Sequence, residues 1–420
     1  MLGLWMVLSC PRLWTTLEPL YPTLQAGASV RKRVAAGGAF LPPSLLVGIM
    51  RRPMEIRNRT RPIGEVVVCG DVNLDLIAHV AHFPIPGQDA LVSSVEVHCG
   101  GSAANTAAAL SRLGLRARLI GRVGQEPMAL MALNCLKKVG VLLSEVQSDP
   151  THTTGLIYII VTPDGERTML SDRGANALTH PDEIRDTPFR QARFFHLSGY
   201  ALLVEPQRRA ALRALDMARE YRLTISLDPG LMLCETAPGD VLRLLPELDI
   251  VMPTLAEAQA LTGHTAPEAC ARDLERHGSR ALAIKLGRDG CLLAADGGMV
   301  RLPAFAIQAQ DTTGAGDAFD AGLIAGHLAG LDWISAALLG NACGAVAASR
   351  VGAGDRPPDG GEVGALLASH LDDPAFAQHH PSIELAMRFL AQGSRGSRRV
   401  RTLVARPHAG VPPIPDEEAV

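Results

Sequence analysis

The stretch Asp311-Thr312-Thr313-Gly314-Ala315-Gly316-Asp317-Ala318-Phe319 holds two carboxylates six residues apart, with Gly, Ala and Gly between them. Gly314 and Gly316 reach backbone angles closed to residues with a Cβ, so successive N–H groups can converge on one point and hold an anion. The residues after Asp317, from Ala318 and Phe319 through Leu323, Ile324 and Leu328, follow a helical pattern. The nest therefore lies at a helix start, where unpaired N–H groups and the positive dipole end already favour phosphate. An Asp at a helix start is commonly an N-cap. A simple cap needs no Gly-Ala-Gly run ahead of it, so Asp317 reads as a base that deprotonates a hydroxyl while a phosphoryl group is held alongside.

Upstream, strands are expected over Phe194–Leu197, Thr224–Leu227, Ile250–Met252 and Ala281–Lys285. They alternate with helices over Glu205–Tyr221, Asp240–Leu245, Leu255–Leu261 and Pro267–His277. Such alternation predicts an α/β fold with a doubly wound, mainly parallel sheet flanked by helices. Asp228, Thr254 with Glu257, and Lys285 with Gly287 and Gly290 all follow strands, at the edge where such sheets place their ligand cleft. The first strand is expected at Val66–Gly70, followed by Asp71-Val72-Asn73-Leu74-Asp75, which suits either substrate binding or a plain turn.

Two strand-like runs, Leu76–Val80 and Leu91–Val97, and a second pair, Gly155–Thr162 and Arg167–Leu170, predict a small β-strand lid at about 75–98 and 155–170. Between these pairs, Gly100-Gly101 leads into a helix expected over Thr106–Leu113; the glycines admit close approach of a ligand, and Asn105 offers a donor and an acceptor. A closely packed helix pair is expected downstream, since the Ala- and Gly-rich run Trp333–Arg350 follows the Asp317 helix.

Residues 1–62, which mix Pro, Gly and Arg without a sustained period, are expected to be a disordered or mis-started extension. The domain is expected over 63–372, with 373–420 a mostly disordered tail apart from an amphipathic piece at Ile383–Leu390. The chain is 47% hydrophobic but only 4% aromatic, so its core must be aliphatic. A net charge of -3 gives no electrostatic case for nucleic acid, and no run of about 18 apolar residues suggests a membrane span. A soluble, cytoplasmic protein is expected. Eight cysteines show no Cys-x-x-Cys and no zinc-type Cys/His spacing, so reduced thiols are expected, with Cys99 and Cys343 as small buried filler. No Lys follows a Gly, which removes a P-loop, and the Gly-x-Gly-x-x-Gly fingerprint is missing too. Gly314–Gly316 is left as the phosphate cradle.

Asp311-Thr-Thr-Gly-Ala-Gly-Asp317 resembles the C-terminal signature of the ribokinase-like, or PfkB, carbohydrate kinases, and Gly100-Gly101 with Ala103-Ala104-Asn105 is similar to their N-terminal one. The resemblance implies ATP-dependent phosphorylation of a hydroxymethyl group of a sugar, with Mg2+. Left open are an adenosine-like nucleoside as the acceptor, and a catalytically silent member that only binds ligand. It implies Asp317 as base, Gly314, Ala315 and Gly316 as anion hole, and Asn73, Asp75, Gly100, Gly101 and Asn105 around the acceptor. Lys285, Gly287, Gly290 and Asn341 would border the nucleotide, Glu257 would reach Mg2+ through water, and Asp311 and Thr313 would adjoin a monovalent cation such as K+. A homodimer through the lid is a further expectation. The chain departs from the family pattern at Thr254, where the Asn of Asn-x-x-Glu is missing, and at Glu126 and Gly230.

Overall fold

The computed structural model describes residues 64–404 apart from Gly165 and Ala353, with side chains described through residue 392. The extension expected at 1–62 lies outside the described residues. The strands are β1 (Glu65–Cys69), β2 (Asn73–Val80), β3 (Val92–Gly100), β4 (Arg116–Val123), β5 (Leu142–Ser148), β6 (Gly155–Val161) and β7 (Arg167–Asp172). They continue with β8 (Ala192–Ser198), β9 (Thr224–Asp228), β10 (Ile250–Val251), β11 (Ala281–Lys285), β12 (Cys291–Ala295) and β13 (Gly298–Leu302). The helices are α1 (Ser102–Arg112), α2 (Pro127–Val139), α3 (Thr187–Gln191), α4 (Gln207–Glu220), α5 (Leu231–Thr236) and α6 (Pro238–Leu244). After them come α7 (Leu255–Thr262), α8 (Pro267–Arg276), α9 (Ala315–Leu328), α10 (Trp333–Ala348), α11 (Gly360–Ser369) and α12 (His380–Val404).

Nine strands form the main sheet in the order β13-β12-β11-β10-β9-β8-β1-β4-β5. From β5 to β11 every pairing is parallel, and β12 and β13 add an antiparallel edge. Successive side chains of a strand face opposite ways, and β1 shows the result. Val66 and Val68 enter one core with α1, α2, α9 and α10, while Val67 and Cys69 enter the other with α4 and α8. The doubly wound, helix-flanked sheet is as the alternation predicted. The β12–β13 hairpin was missed there, although Asp296-Gly297 is its turn signal.

Four strands form the lid, in the order β3-β2-β6-β7. The two expected hairpins are joined, because β2 and β6 pair in parallel from Asn73 opposite Gly155 to His79 opposite Val161. One face of this sheet, with Ile157, Ile159 and Met169, turns toward a cavity. The other leaves Val95, Val97, Tyr158 and Leu170 between 40% and 60% exposed.

Helices α9 and α10 pack closely through small residues. A Cβ added at Gly322 would stand 2.8 Å from the Cα of Gly340, so a larger side chain would wedge the pair apart. Where residues after 373 are described, the chain is helical rather than mostly disordered, and the amphipathic piece at Ile383–Leu390 lies within α12. Phe376, Ile383, Ala386, Phe389 and Leu390 are buried, Phe376 stacks on Phe305 at 4.5 Å, and α12 packs on α10 and α11. The apolar positions recur at helical spacing, and their burial outweighs the Pro- and Arg-rich flanks that suggested disorder.

Candidate active site

A cavity of about 400 Å3 lies between the lid and the ends of β1, β9 and the loop before α9. Its wall includes Asn73, Asp75, Gly101 and Asn105 on one side and Thr313, Gly314 and Asp317 on the other. Residues more than 200 positions apart in sequence thus meet. Asn105 Nδ2 donates to Asp317 Oδ2 at 2.8 Å, which joins the two glycine-rich segments directly.

The first turn of α9 has no side-chain cap, and Gly314, at φ 70 and ψ 2, is its left-handed N-cap. Asp317 is therefore not spent on capping. Burial, then repulsion from Asp228, raises its carboxyl to about 6, against opposing hydrogen bonds from Asn105 and Ser102. A carboxylate in that range accepts a proton readily and is ionised at neutral pH. Its target hydroxyl has clear neighbours. Asp75 Oδ1 and Asn105 Oδ1 are buried without a partner, and burial raises Asp75 to about 7. Unsatisfied buried acceptors are costly, and both would be satisfied by hydroxyl donors in the cavity.

Gly100 and Gly101 fix how close that wall can come. A Cβ at Gly101 would stand 2.4 Å from Asp71 O, and one at Gly100 would stand 2.4 Å from the Asp75 carboxylate. Asn73 Oδ1 accepts from Asn176 Nδ2 at 2.8 Å, and Asn176 is fully buried and bonded to Val72 at both its backbone groups. Asp71 accepts from Gln207 and Arg173, so the arginine facing the cavity is already neutralised.

Several expected roles change with position. Lys285 does not reach an open groove: Nζ is buried, 3.0 Å from Asp228 Oδ2 and 3.1 Å from Asp320 Oδ1. Burial works to lower the ammonium, but Asp228, Asp320 and Glu257 hold it well above the usual lysine range. Burial raises Asp320, whereas for Asp228 the attraction of Lys285 and the hydrogen bond from Asp320 overcome burial and lower it. A Cβ on Gly316 would lie 3.5 Å from Lys285 Nζ, so this cation underlies the anion loop. Asp320 was missed in sequence because one more Asp in a helix carries no signal of its own.

Gly287 and Gly290 bracket a tight turn between β11 and β12, and Asn341 Nδ2 donates to Pro303 O at 3.0 Å. None of the three lines the cavity. Glu257 does, but its Oε2 accepts from Thr254 N at 2.8 Å while Thr254 Oγ1 accepts from Glu257 N, a reciprocal capping box. With Thr at 254, hydroxyl and carboxylate close on the start of α7. Burial and Asp228 raise Glu257 to about 7.

Asp311 and Thr313 do not enclose an open cation position. Arg167 Nη1, from lid strand β7, donates to Asp311 Oδ1 and, at 2.8 Å, to Thr313 Oγ1. Burial works to raise Asp311, but Arg167 and the Thr313 amide pull it below the usual range. The lid is thereby latched to the anion loop. Nothing about Arg167 in the sequence marks this contact, which depends on how β7 folds back.

A base buried beside a backbone nest, facing a pocket of unsatisfied hydroxyl acceptors, defines an alcohol-accepting phosphotransferase. Residues 64–359 match the pfkB family of carbohydrate kinases, and the chain belongs to that family. It is 34% identical to an ATP-dependent ribose-1-phosphate kinase of Halopiger xanaduensis, over 73% of this chain and 99% of that protein. It is 30% identical to a protein of Arabidopsis thaliana named as a fructokinase-4, over 72% of this chain and 96% of that protein. The fold is similar to that of the Arabidopsis thaliana ribokinase complexed with ribose and ATP, with TM-score 0.63 and 22% identity over 72% of this chain and 98% of that one.

Proposed function

We propose that the chain transfers the terminal phosphoryl group of ATP to a hydroxymethyl group of an uncharged sugar. The observation that carries this reading is the pair of partnerless acceptors, Asp75 Oδ1 and Asn105 Oδ1, beside the raised carboxyl of Asp317. Two sugar hydroxyls donate to them and hold a third hydroxyl against Asp317. Asp317 takes its proton as the oxygen attacks phosphorus, and the bond from phosphorus to the ADP oxygen breaks. Gly314 and Gly316 present backbone N–H groups to the charge that develops, with Lys285 supporting them from below, whereas the Ala315 N–H donates to Thr312 O at 3.2 Å and shapes the loop. Positioning and electrostatics of this kind supply most of the catalysis in phosphoryl transfer.

The cavity wall carries Asp71, Asp75, Asp228, Glu257 and Asp317, and its one arginine, Arg173, is occupied by Asp71. With Arg173 and Lys285 both paired, the wall offers no free cation among the described residues to an acceptor that already bears a phosphate, and ionised Asp317 repels one, despite the relative named for ribose-1-phosphate. The oxygen ligands of Asp228 and Glu257 suit a divalent cation. Asp228 and, through water, Glu257 would hold Mg2+, which would relieve their mutual repulsion and supply positive charge for the nucleotide phosphates. The turn at Gly287 and Gly290 and the Asn341–Pro303 contact remain our proposed nucleotide border. A K+ ion at Asp311 and Thr313 would have to displace Arg167, so we expect little dependence on K+.

A nucleoside acceptor is a second reading, favoured by the apolar wall of Ile157, Ile159, Met169, Met232 and Tyr200 around the polar floor. Steady-state turnover with fructose, ribose, adenosine and ribose-1-phosphate separates these readings. Turnover on a free sugar at least tenfold above the rest supports the first, preference for adenosine supports the second, and preference for ribose-1-phosphate overturns the argument from charge. The outer lid face, with Val95, Val97, Tyr158 and Leu170 exposed, is proposed to be covered by a second copy of the chain.

A further inference from the structure

Outside this site, three metal-ligating side chains converge from distant segments: Cys99 at the end of β3, Cys135 in α2, and Asp355 before α11. Their two Sγ atoms and a carboxylate oxygen lie within 4.8 Å of one another, and among the described residues no other group of three such ligands does so. We propose that this cluster is a binding site for a thiophilic divalent cation of the zinc class, with Cys99, Cys135 and Asp355 as ligands.

The donors suit that ion. Thiolate with carboxylate is a zinc ligand set, and bonds of about 2.3 Å to sulfur and 2.0–2.2 Å to oxygen put tetrahedral ligand atoms less than about 4 Å apart. A modest contraction of the cluster brings all three into range. Asp355 Oδ1 faces the thiols, 2.9 Å from Cys135 Sγ, while Oδ2 is 2.7 Å from His98 Nδ1. That imidazole, bonded at Nε2 to Glu96 Oε2 at 3.0 Å, orients the carboxylate from behind, as outer-shell partners of metal ligands do. Cys99 is buried and Cys135 only partly so, which leaves an entry path on the Cys135 side. Binding releases two protons to solvent, one from each thiol as its sulfur–metal bond forms, and leaves the ion, two thiolates and one carboxylate with a net charge of -1.

The site adjoins the acceptor wall without being part of it. Cys99 N donates to Asp355 Oδ1 at 3.2 Å, and a Cβ at Gly354 would stand 2.0 Å from Cys99 O, so the end of β3 and the 354–355 segment are in register. Gly100 and Gly101 follow immediately. An ion here tethers the acceptor motif to α2.

The test uses the full-length reduced protein and Co2+ as a spectroscopic probe. A thiolate-to-cobalt charge-transfer absorption that saturates at one equivalent, and is displaced by one equivalent of Zn2+, is expected. Cys135→Ser should abolish that absorption while keeping kinase turnover in buffer that contains Mg2+ but no Zn2+ or Co2+, and Asp355→Asn should weaken Co2+ binding about tenfold or more. Zn2+ should raise the melting temperature of the unmodified protein but not of Cys135→Ser. The proposal fails if no charge-transfer band appears at one equivalent, or if the band persists at full intensity in a folded Cys135→Ser protein.

Discussion

The main sheet and the lid are both built from strands paired by ordinary ladders, yet they meet opposite fates. The main sheet is covered on both faces by helices, and its inner strand β1 is buried throughout. The lid is covered only in part: Leu74, Leu156 and Ile159 are buried and α2 packs on β2 and β3, while Val95, Val97, Tyr158 and Leu170 on the outer face are open to solvent. Rigid packing around the main sheet holds Asp317, Asn105 and Lys285 where small displacements would be felt, while the lid brings Asn73 and Asp75, Arg167 and an apolar wall to the cavity. The base and its supporting cation are therefore assigned to the covered region, and acceptor binding and closure to the lid.

The largest test of that division is Asp317→Asn. Turnover should fall by about 10²–10⁴-fold, the range for loss of a general base, with nucleotide binding kept. Because the folded state raises this carboxyl, its ionised form disfavours folding. That handicap is absent below about 4, where the unfolded carboxyl also holds its proton, and complete above about 6. The variant should thus be more stable than the parent at pH 8, by about 1–2 kcal/mol after discounting for water in the cavity, and equal to it near pH 4. A denaturation midpoint that rises equally at both pH values would remove the electrostatic explanation.

Next in size is Asn105→Ala. Losing the amide that steadies ionised Asp317 should shift the acidic limb of the pH–rate profile upward from about 6, along with roughly a tenfold or greater loss in kcat/KM for the acceptor. An unmoved limb would mean that another group controls it. On the lid, Arg167→Ala should cost about tenfold in turnover by releasing the latch, and added K+ should recover part of the loss in the variant but have little effect on the parent. Equal dependence on K+ in both would show that Arg167 does not stand in for a cation. Smallest in effect on activity is Tyr158→Lys on the outer lid face. Sedimentation should show a shift from dimer to monomer with turnover within about twofold of the parent, and an unchanged mass would rule out this face as the contact.

The fold was legible because its periodicities are local. Val66–Val68, the helix over 267–276 and the strand at 281–285 lie where the pattern put them. In the tail the amphipathic piece Ile383–Leu390 was legible from its spacing, but Phe376 was not, because its burial depends on the distant Phe305. In the site, Asp317, Gly314, Gly101 and Asn105 could be picked out since glycine spacing and a stray carboxylate are visible in one dimension. Lys285 and Asp311 could be found but not given the right neighbours. Their partners, Asp320 and Arg167, lie 35 and 144 residues away and have nothing unusual in their surroundings.

The sequence by itself determined a doubly wound α/β kinase scaffold with a nest and a base at one helix start, because backbone propensity, glycine freedom and apolar period act over a few residues. Only the tertiary structure decided that Asp317 faces Asn105 rather than capping its helix, that Lys285 underlies the anion loop, that Arg167 latches the lid, and that two cysteines 36 residues apart (99 and 135) meet one aspartate. Burial and pairing of charge depend on what the rest of the chain brings within a few ångströms, and no spacing along the chain encodes that.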